Sequence, residues 1–485
     1  MNFKKSLLFL TGTISTVASV ATFVSCGETD KEGKIIRIFD NSFVKDRQAE
    51  IEKAKNFDFN TVLLTAGGTV QDKSFNQSIW EAVLEHYDQI EKTTNLDRVS
   101  QETNNQSELI GKYKNFLNGN KNVWILTGFQ QGQEFPKFLK QTDSNGKKYS
   151  DLLAEKKVII VAVDWDLSKE DKDLIKAGHF ISLLYKTEEA GFIAGYASSK
   201  FLAYKFPNDE AKRTIAPFGG GHGAGVTDFI AGFLAGIAKY NNDNPTAKVT
   251  ISDNNINIDT GFISNDKTAT FINGIVNKSS LVLPVAGSLT SSVVDAIKKS
   301  NKDTKYLIGV DTDQSKIFSP ATVFFTSIEK HLGRTIYEVL TDIWLKKEDS
   351  KFLGSFRSFK LTNPANATVY KGISDDFVGV SNSTVADADK VKAQEFLNEA
   401  TADFKKQIQA NPTNYKSVLG IPTMLINDND AKDNEKALNE LIKKIFPMPI
   451  LSVIILAVEC RYEATLYPLF MHFLNIYSLL LFILP

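Results

Sequence analysis

The sequence predicts an α/β protein of two lobes, each a parallel sheet with helices on both faces. Three observations predict it. Short apolar runs alternate with stretches of helical spacing along the middle of the chain. The loops that follow the runs are rich in glycine or open on aspartate. There are more such units than one sheet of ordinary size holds, so two sheets are expected.

Taken in order, residues 61–65 read as a strand, 66–74 as a glycine-rich loop, and 75–90 as a helix. Residues 123–127 and 158–163 read as strands that end at Gly128 and Asp164. The unit repeats as strand 214–218, loop 219–225 and helix 226–240, then strand 249–252 and helix 269–276. Strand 281–286 leads to helix 291–299, and strand 306–310 ends at Asp311. In such sheets ligands bind beyond the carboxyl ends of the strands. That singles out 66–76, 128–131, 164–166, 219–225, 287–288 and 311–313.

The ends of the chain read differently. Lys4 and Lys5 precede an apolar, charge-free stretch over 6–24, which closes on Phe23-Val-Ser-Cys26-Gly27. This pattern predicts a signal peptide over 1–25 and, from its resemblance to a bacterial lipobox, a new N-terminus at Cys26 carrying acyl chains such as palmitate. An uncleaved membrane anchor is the competing reading. Residues 26–55 then form a polar tether, 56–170 with 318–348 one lobe, and 171–317 with 349–380 the other. Residues 381–446 read as a helical extension. The tail 447–485 turns abruptly apolar, and reads as out-of-frame translation or a membrane-associated segment.

Composition excludes several classes. Net charge is −1 and no basic stripe occurs, so nucleic acid is not an expected partner. Two cysteines, Cys26 and Cys460, do not make a disulfide framework. The five histidines lack metal-ligand spacing, and Asp311-Thr-Asp313 lacks the glycine and glutamate of a calcium loop. No nucleophile elbow or phosphate-loop lysine is present. Gly219-x-Gly221-x-x-Ala224 has no acidic ribose partner downstream, and reads as a crevice loop or packing turn. No cofactor, metal or catalytic activity is expected.

The strongest local motif runs from Thr65 to Gln77. Gly67 and Gly68 permit close backbone approach, and Asp72 or Ser74 can cap the helix that follows. Phe75 and Asn76 suit stacking on, and hydrogen bonding to, a planar heterocycle, although Phe75 also fits a core position. The stretch Gly67, Gly68, Asp72, Ser74, Phe75, Asn76, Gln77 resembles the basic membrane protein (Bmp) family of ABC-transporter substrate-binding lipoproteins, which includes purine nucleoside receptors. The resemblance continues through Phe218-Gly-Gly, Val226-Thr-Asp-Phe229-Ile-Ala-Gly232, Val285-Ala-Gly287-Ser, Ile308-Gly-Val-Asp311-Thr-Asp313-Gln314 and Thr326 to His331.

That resemblance implies a type I periplasmic-binding-protein fold, two lobes joined by a multi-strand hinge and closing on a nucleoside. It implies that Phe75 and Phe229 sandwich the base, and that Asn76 and Asp164 bond its edge. Asp266, Gly287, Asp311 and Lys330 hold the ribose hydroxyls or the hinge around them, with Asp72 and Ser74 in the same set. Many relatives have an acid after the first strand where this chain has Ala66, with Thr65 or Thr69 as the candidates to replace it. The expected function is capture of a nucleoside, purine foremost, on the extracytoplasmic face of the cell membrane for delivery to an ABC permease. The alternative is a surface antigen or adhesin that keeps the fold without nucleoside uptake.

Overall fold

Aliphatic runs that are apolar on both faces can be satisfied only inside a sheet covered on both sides. In the computed structural model, which describes residues 38–54, 60–90, 99–253, 255–300, 304–426 and 431–445, those runs are among twelve strands. They are β1 (Thr61–Ala66), β2 (Ser100–Thr103), β3 (Val123–Thr127), β4 (Ile159–Val163), β5 (Phe180–Tyr185), β6 (Thr214–Gly219), β7 (Thr250–Ile251), β8 (Leu281–Val285), β9 (Tyr306–Asp311), β10 (Phe324–Lys330), β11 (Ala367–Lys371) and β12 (Val378–Val380). The predicted leader, Cys26, most of the tether and the tail 447–485 lie outside the described residues.

The helices are α1 (Val44–Lys53), α2 (Phe75–Gln89), α3 (Leu109–Asn118), α4 (Phe129–Lys140), α5 (Tyr149–Glu155), α6 (Thr187–Lys205), α7 (Ala224–Asp243), α8 (Asp266–Lys278), α9 (Leu289–Ser300), α10 (Leu332–Trp344), α11 (Asp387–Ala410), α12 (Tyr415–Leu419) and α13 (Ala431–Ile445). None among the described residues is long and apolar enough to cross a membrane.

Two sheets result. The first has the order β11-β5-β4-β3-β1-β2, all parallel. The second has the order β12-β10-β9-β8-β6-β7, parallel except for the antiparallel edge strand β12. Every residue of β1, β3, β4, β5, β8 and β9 is buried. Each aliphatic side chain so buried contributes about 1.5–3 kcal/mol, and Ile125 or Leu283 replaced by alanine would open a cavity at the centre of a sheet.

The crossings between lobes differ from the sequence expectation. β5 pairs in the first sheet, but α6, which follows it, packs on α7 beside the second. β10 lies in the second sheet, but α10 packs on α2 beside the first. β11 returns to the first sheet and β12 to the second. The chain therefore crosses at Lys186, at His331 and between Lys371 and Val378, not near 171, 318 and 349. The reason is local: β5 and β10 run into α6 and α10 with one residue between, so no glycine loop marks the boundary. The crossings are bonded side by side, with Lys186 N–H to Lys371 O at 2.9 Å and His331 N–H to Phe377 O at 2.9 Å.

Behind the hinge, α11 packs on α6 and α13 on α7. Glu189 accepts hydrogen bonds from Tyr415 Oη (2.6 Å) and Ile373 N–H (2.8 Å). Glu188 accepts from Tyr370 Oη (3.1 Å) and pairs with Lys416. The C-terminal helices thus brace the crossings.

Candidate functional site

The carboxyl ends of β1, β3 and β4 face those of β6, β8, β9 and β10 across a cleft with about 640 Å³ of empty space, part of it open to solvent. Its first wall comes from the β1–α2 loop. Gly67 and Gly68 both have φ of +98°, a conformation that disfavours any side chain. Asp72 folds back on the start of α2. Its Oδ1 accepts from Ser74 N–H (2.9 Å) and Gln77 N–H (3.0 Å), and its Oδ2 from Asn76 N–H (2.9 Å) and Asn76 Nδ2 (3.0 Å). Asp72 is therefore the helix cap, placing a carboxylate where the helix dipole favours it. Burial nonetheless pushes its pKa up to about 6, against those amide bonds.

Asn76 is turned into the cleft wall by three bonds. Its Nδ2 donates to Asp72 and to Gly67 O (3.3 Å), and its Oδ1 accepts from Thr127 Oγ1 (3.0 Å). Ser74, fully buried, does not cap α2; its hydroxyl reaches the other lobe and donates to Asp311 Oδ2 at 2.7 Å. Gln314 Nε2 also bridges the lobes, to Lys73 O at 3.2 Å.

At the centre stands Lys330, the last residue of β10, its side chain 1% exposed. It pairs with Asp164 from the first lobe and lies 3.9 Å from Asp311 Oδ1 of its own lobe. It also donates to Gly225 O at 3.0 Å, and its ammonium sits 5.4 Å from the Phe75 ring and 4.9 Å from the Phe229 ring. Burial raises the pKa of both Asp164 and Asp311, with Lys330 opposing the rise. One ammonium between two carboxylates leaves acceptor capacity over, aimed into the cleft.

Asp72, Phe75, Asn76, Asp164, Gly287, Asp311 and Lys330 all line the cleft. Ser74 stands just behind, on Asp311. Two expected residues lie elsewhere. Phe229 is 1% exposed on α7, with the Lys330 ammonium over its ring, and is not part of the cleft lining. The reason is that α7 is buried on nearly every face from Ala224 to Ile237. Asp266 is exposed in the first turn of α8, whose start is capped by Asn265, and is not part of the cleft lining.

Besides Phe75, the aromatic lining of the cleft comes from Phe129, the first residue of α4, and Phe262 in the β7–α8 loop. Gln130 also lines the cleft, and its Oε1 is buried with no hydrogen-bond partner among the described residues. Ala66, the last residue of β1, lines the cleft with a methyl group. Thr65 does not take the place of an acid there: its hydroxyl is buried and donates to Gly68 O at 2.8 Å. Neither Thr65 nor Thr69 is part of the lining. Among the described residues, no histidine or cysteine lines the cleft and no metal-binding cluster occurs.

Two α/β lobes joined by three crossings, with polar groups of both lobes converging on one cleft, define a bilobal solute-binding protein. The chain belongs to the Bmp family, ABC transporter substrate-binding protein PnrA-like, whose sequence model matches residues 59–412. It is a family of binding proteins, not of enzymes, and its partners are a small solute and an ABC permease. No curated protein sequence matches the chain. Among solved structures, an ABC transporter solute-binding protein from Aeropyrum pernix is similar at 14% identity and TM-score 0.51, covering 80% of this chain and 91% of that one. A solute-binding protein from Conexibacter woesei matches at 13% identity and TM-score 0.41, covering 71% and 96%. One from Actinobacillus succinogenes with bound D-allose matches at 14% and 0.41, covering 69% and 100%. At 14% identity, the likeness to the Aeropyrum pernix protein shows the fold alone.

Proposed function

We propose that this chain binds a nucleoside, purine foremost, between its lobes for import, and is held at the extracytoplasmic face by acyl chains on Cys26. The observation that carries the ligand reading is the Asp164–Lys330–Asp311 set beside three phenylalanines. Buried carboxylates with spare lone pairs accept paired hydrogen bonds from vicinal hydroxyls. Phe75, Phe129 and Phe262 offer flat apolar surface to a heterocycle. Gln130 Oε1 and the remaining lone pair of Asn76 Oδ1 are carboxamide acceptors at the same lining, where hydrogen bonds from donors on the base edge would read it.

Binding would proceed by closure. The solute meets one lobe, the hinge segments bend, and the second lobe completes its hydrogen bonds while water leaves. Isothermal calorimetry on the unlipidated Cys26→Ser chain tests the reading. Inosine, guanosine or adenosine should give heat at micromolar concentration, whereas ribose and allose should not. Absence of heat with every nucleoside would sink it. The anchor is tested separately: labelled palmitate should enter the protein in its host, and Cys26→Ser should abolish the label.

A further inference from the structure

The loop from Gly219 to Gly225 contains five glycines: Gly219, Gly220, Gly221, Gly223 and Gly225. Glycine is demanded either by a left-handed backbone or by a neighbour that occupies the space of a side chain. None of the five has a left-handed φ. Space is the reason, and its direction is informative. A Cβ at Gly219 or Gly220 would strike the second lobe itself, at Val226 (2.8 Å) or the Phe262 ring (2.6 Å). A Cβ at Gly221 would lie 2.8 Å from Phe129 Cζ, and one at Gly223 would lie 2.6 Å from Phe129 Cγ. One at Gly225 would lie 2.7 Å from Asp164 Oδ2. Phe129 and Asp164 belong to the first lobe. Alternate glycines therefore leave a bare backbone shelf on the second lobe, and the Phe129 ring of the first lobe rests on it.

The shelf is held in place from behind. Gly219 N–H donates to Asn257 O and Gly220 N–H to Val285 O, each at 2.9 Å. Asn434 of α13 donates to His222 O at 2.9 Å, from a helix beyond the stretch matched by the family. Gly221 and Gly223 are not part of the cleft lining, so the shelf acts on closure and not on the ligand directly.

We infer that Phe129 and the Gly221–Gly223 shelf form a closure latch. The ring seats on the shelf when the lobes meet, and this contact sets how long a bound solute is retained. The inference rests on the reading that the cleft closes on a solute, but not on the solute's identity. A side chain at Gly221 would strike Phe129 across the lobes, while within its own lobe it meets only Phe262 Cζ, at an ordinary contact distance of 3.5 Å, so it raises the dissociation rate while leaving association and the folded lobes alone.

Two measurements test it, on the full chain with Cys26 and Cys460 changed to serine. The first needs no ligand. Phe129→Cys with Gly223→Cys should form an intramolecular disulfide on oxidation, read by peptide mass spectrometry. Phe129→Cys with Lys278→Cys, at the amino-terminal end of the second sheet, should not. A folded Phe129–Gly223 pair that never cross-links overturns the latch. The second uses inosine in stopped flow. Gly221→Ala should raise the dissociation rate about tenfold, with the association rate and the ligand-free melting temperature unchanged. A dissociation rate equal to that of the unmodified chain, or a lowered ligand-free melting temperature, overturns it. If the unmodified chain binds no inosine, the nucleoside reading fails and the cross-link alone decides the latch.

Discussion

At the scale of single residues, the cleft turns on Lys330. Among the described residues that line the cleft it is the one cation, and it faces Asp164 of the first lobe and Asp311 of its own. Lys330→Met keeps the length and removes the charge, leaving two buried carboxylates opposed. Breaking such an arrangement costs about 3–5 kcal/mol, so nucleoside affinity should fall by about 100-fold or more; an unchanged calorimetric Kd would refute the assignment. The same carboxylates fix a pH dependence. Hydroxyl donors need them ionised, and burial has raised both pKa values. Affinity should therefore begin to fall, on acidification, at a higher pH than an ordinary aspartate would dictate. Stability runs the other way for Asp72. Its folded pKa, about 6, lies above the ordinary 3.8, so the native state holds the proton more tightly. Stability from this group is present at low pH and is lost as pH rises through that range, by about 3 kcal/mol in all. Asp72→Asn should flatten the pH dependence of urea unfolding between those values. Much of this cleft was legible because the β1–α2 motif is contiguous, and strand ends are where polar residues matter. The strand-end window 128–131 takes in Phe129 without assigning it a role, and Phe262 falls outside every window, because a phenylalanine beside a glycine looks like core until the opposite lobe is in place.

At the scale of elements, the strand–loop–helix units could be read wherever a glycine or aspartate loop closed the strand, as in β1, β3, β4, β6 and β9. β5 (FISLLY) is as apolar as those and β10 (FFTSIEK) is more polar, but both continue into helices of the opposite lobe with no such mark. β2 (SQET) lacks an apolar run altogether and is held by its register on β1. The lobe boundaries consequently depend on packing that no local pattern carries. The bracing of those crossings makes its own prediction. Glu188 is fully buried and pairs with Lys416 of α12. Lys416→Ala leaves that carboxylate without its cation, and should cost about 3 kcal/mol in chemical denaturation. Adding Glu188→Gln should restore most of the loss, since the uncompensated charge is then gone. If the double variant is as unstable as the single one, packing of the lysine stem, and not its charge, supports the hinge.

At the scale of the whole molecule, the lobes are drawn together. Ser74 bonds Asp311, Gln314 bonds Lys73 O, Lys330 pairs with Asp164, and Phe129 rests on the glycine shelf. These contacts favour closure, but closure also buries two carboxylates around one ammonium. Without hydroxyl donors from a solute that excess acceptor charge is poorly solvated, so the empty protein should favour an open form. A solute shifts the balance only by its greater affinity for the closed state, and moving a population from mostly open to mostly closed takes about 5 kcal/mol of that difference. Small-angle scattering reads the outcome directly. The ligand-free chain should show a radius of gyration larger than the closed arrangement gives, and saturating nucleoside should reduce it to that value. Lys330→Met should remain extended at the same nucleoside concentration, because both the cross-lobe pair and the ligand site are lost together. Identical scattering with and without nucleoside, in a chain shown by calorimetry to bind it, would mean that the lobes are locked and that the hinge crossings serve only to connect them.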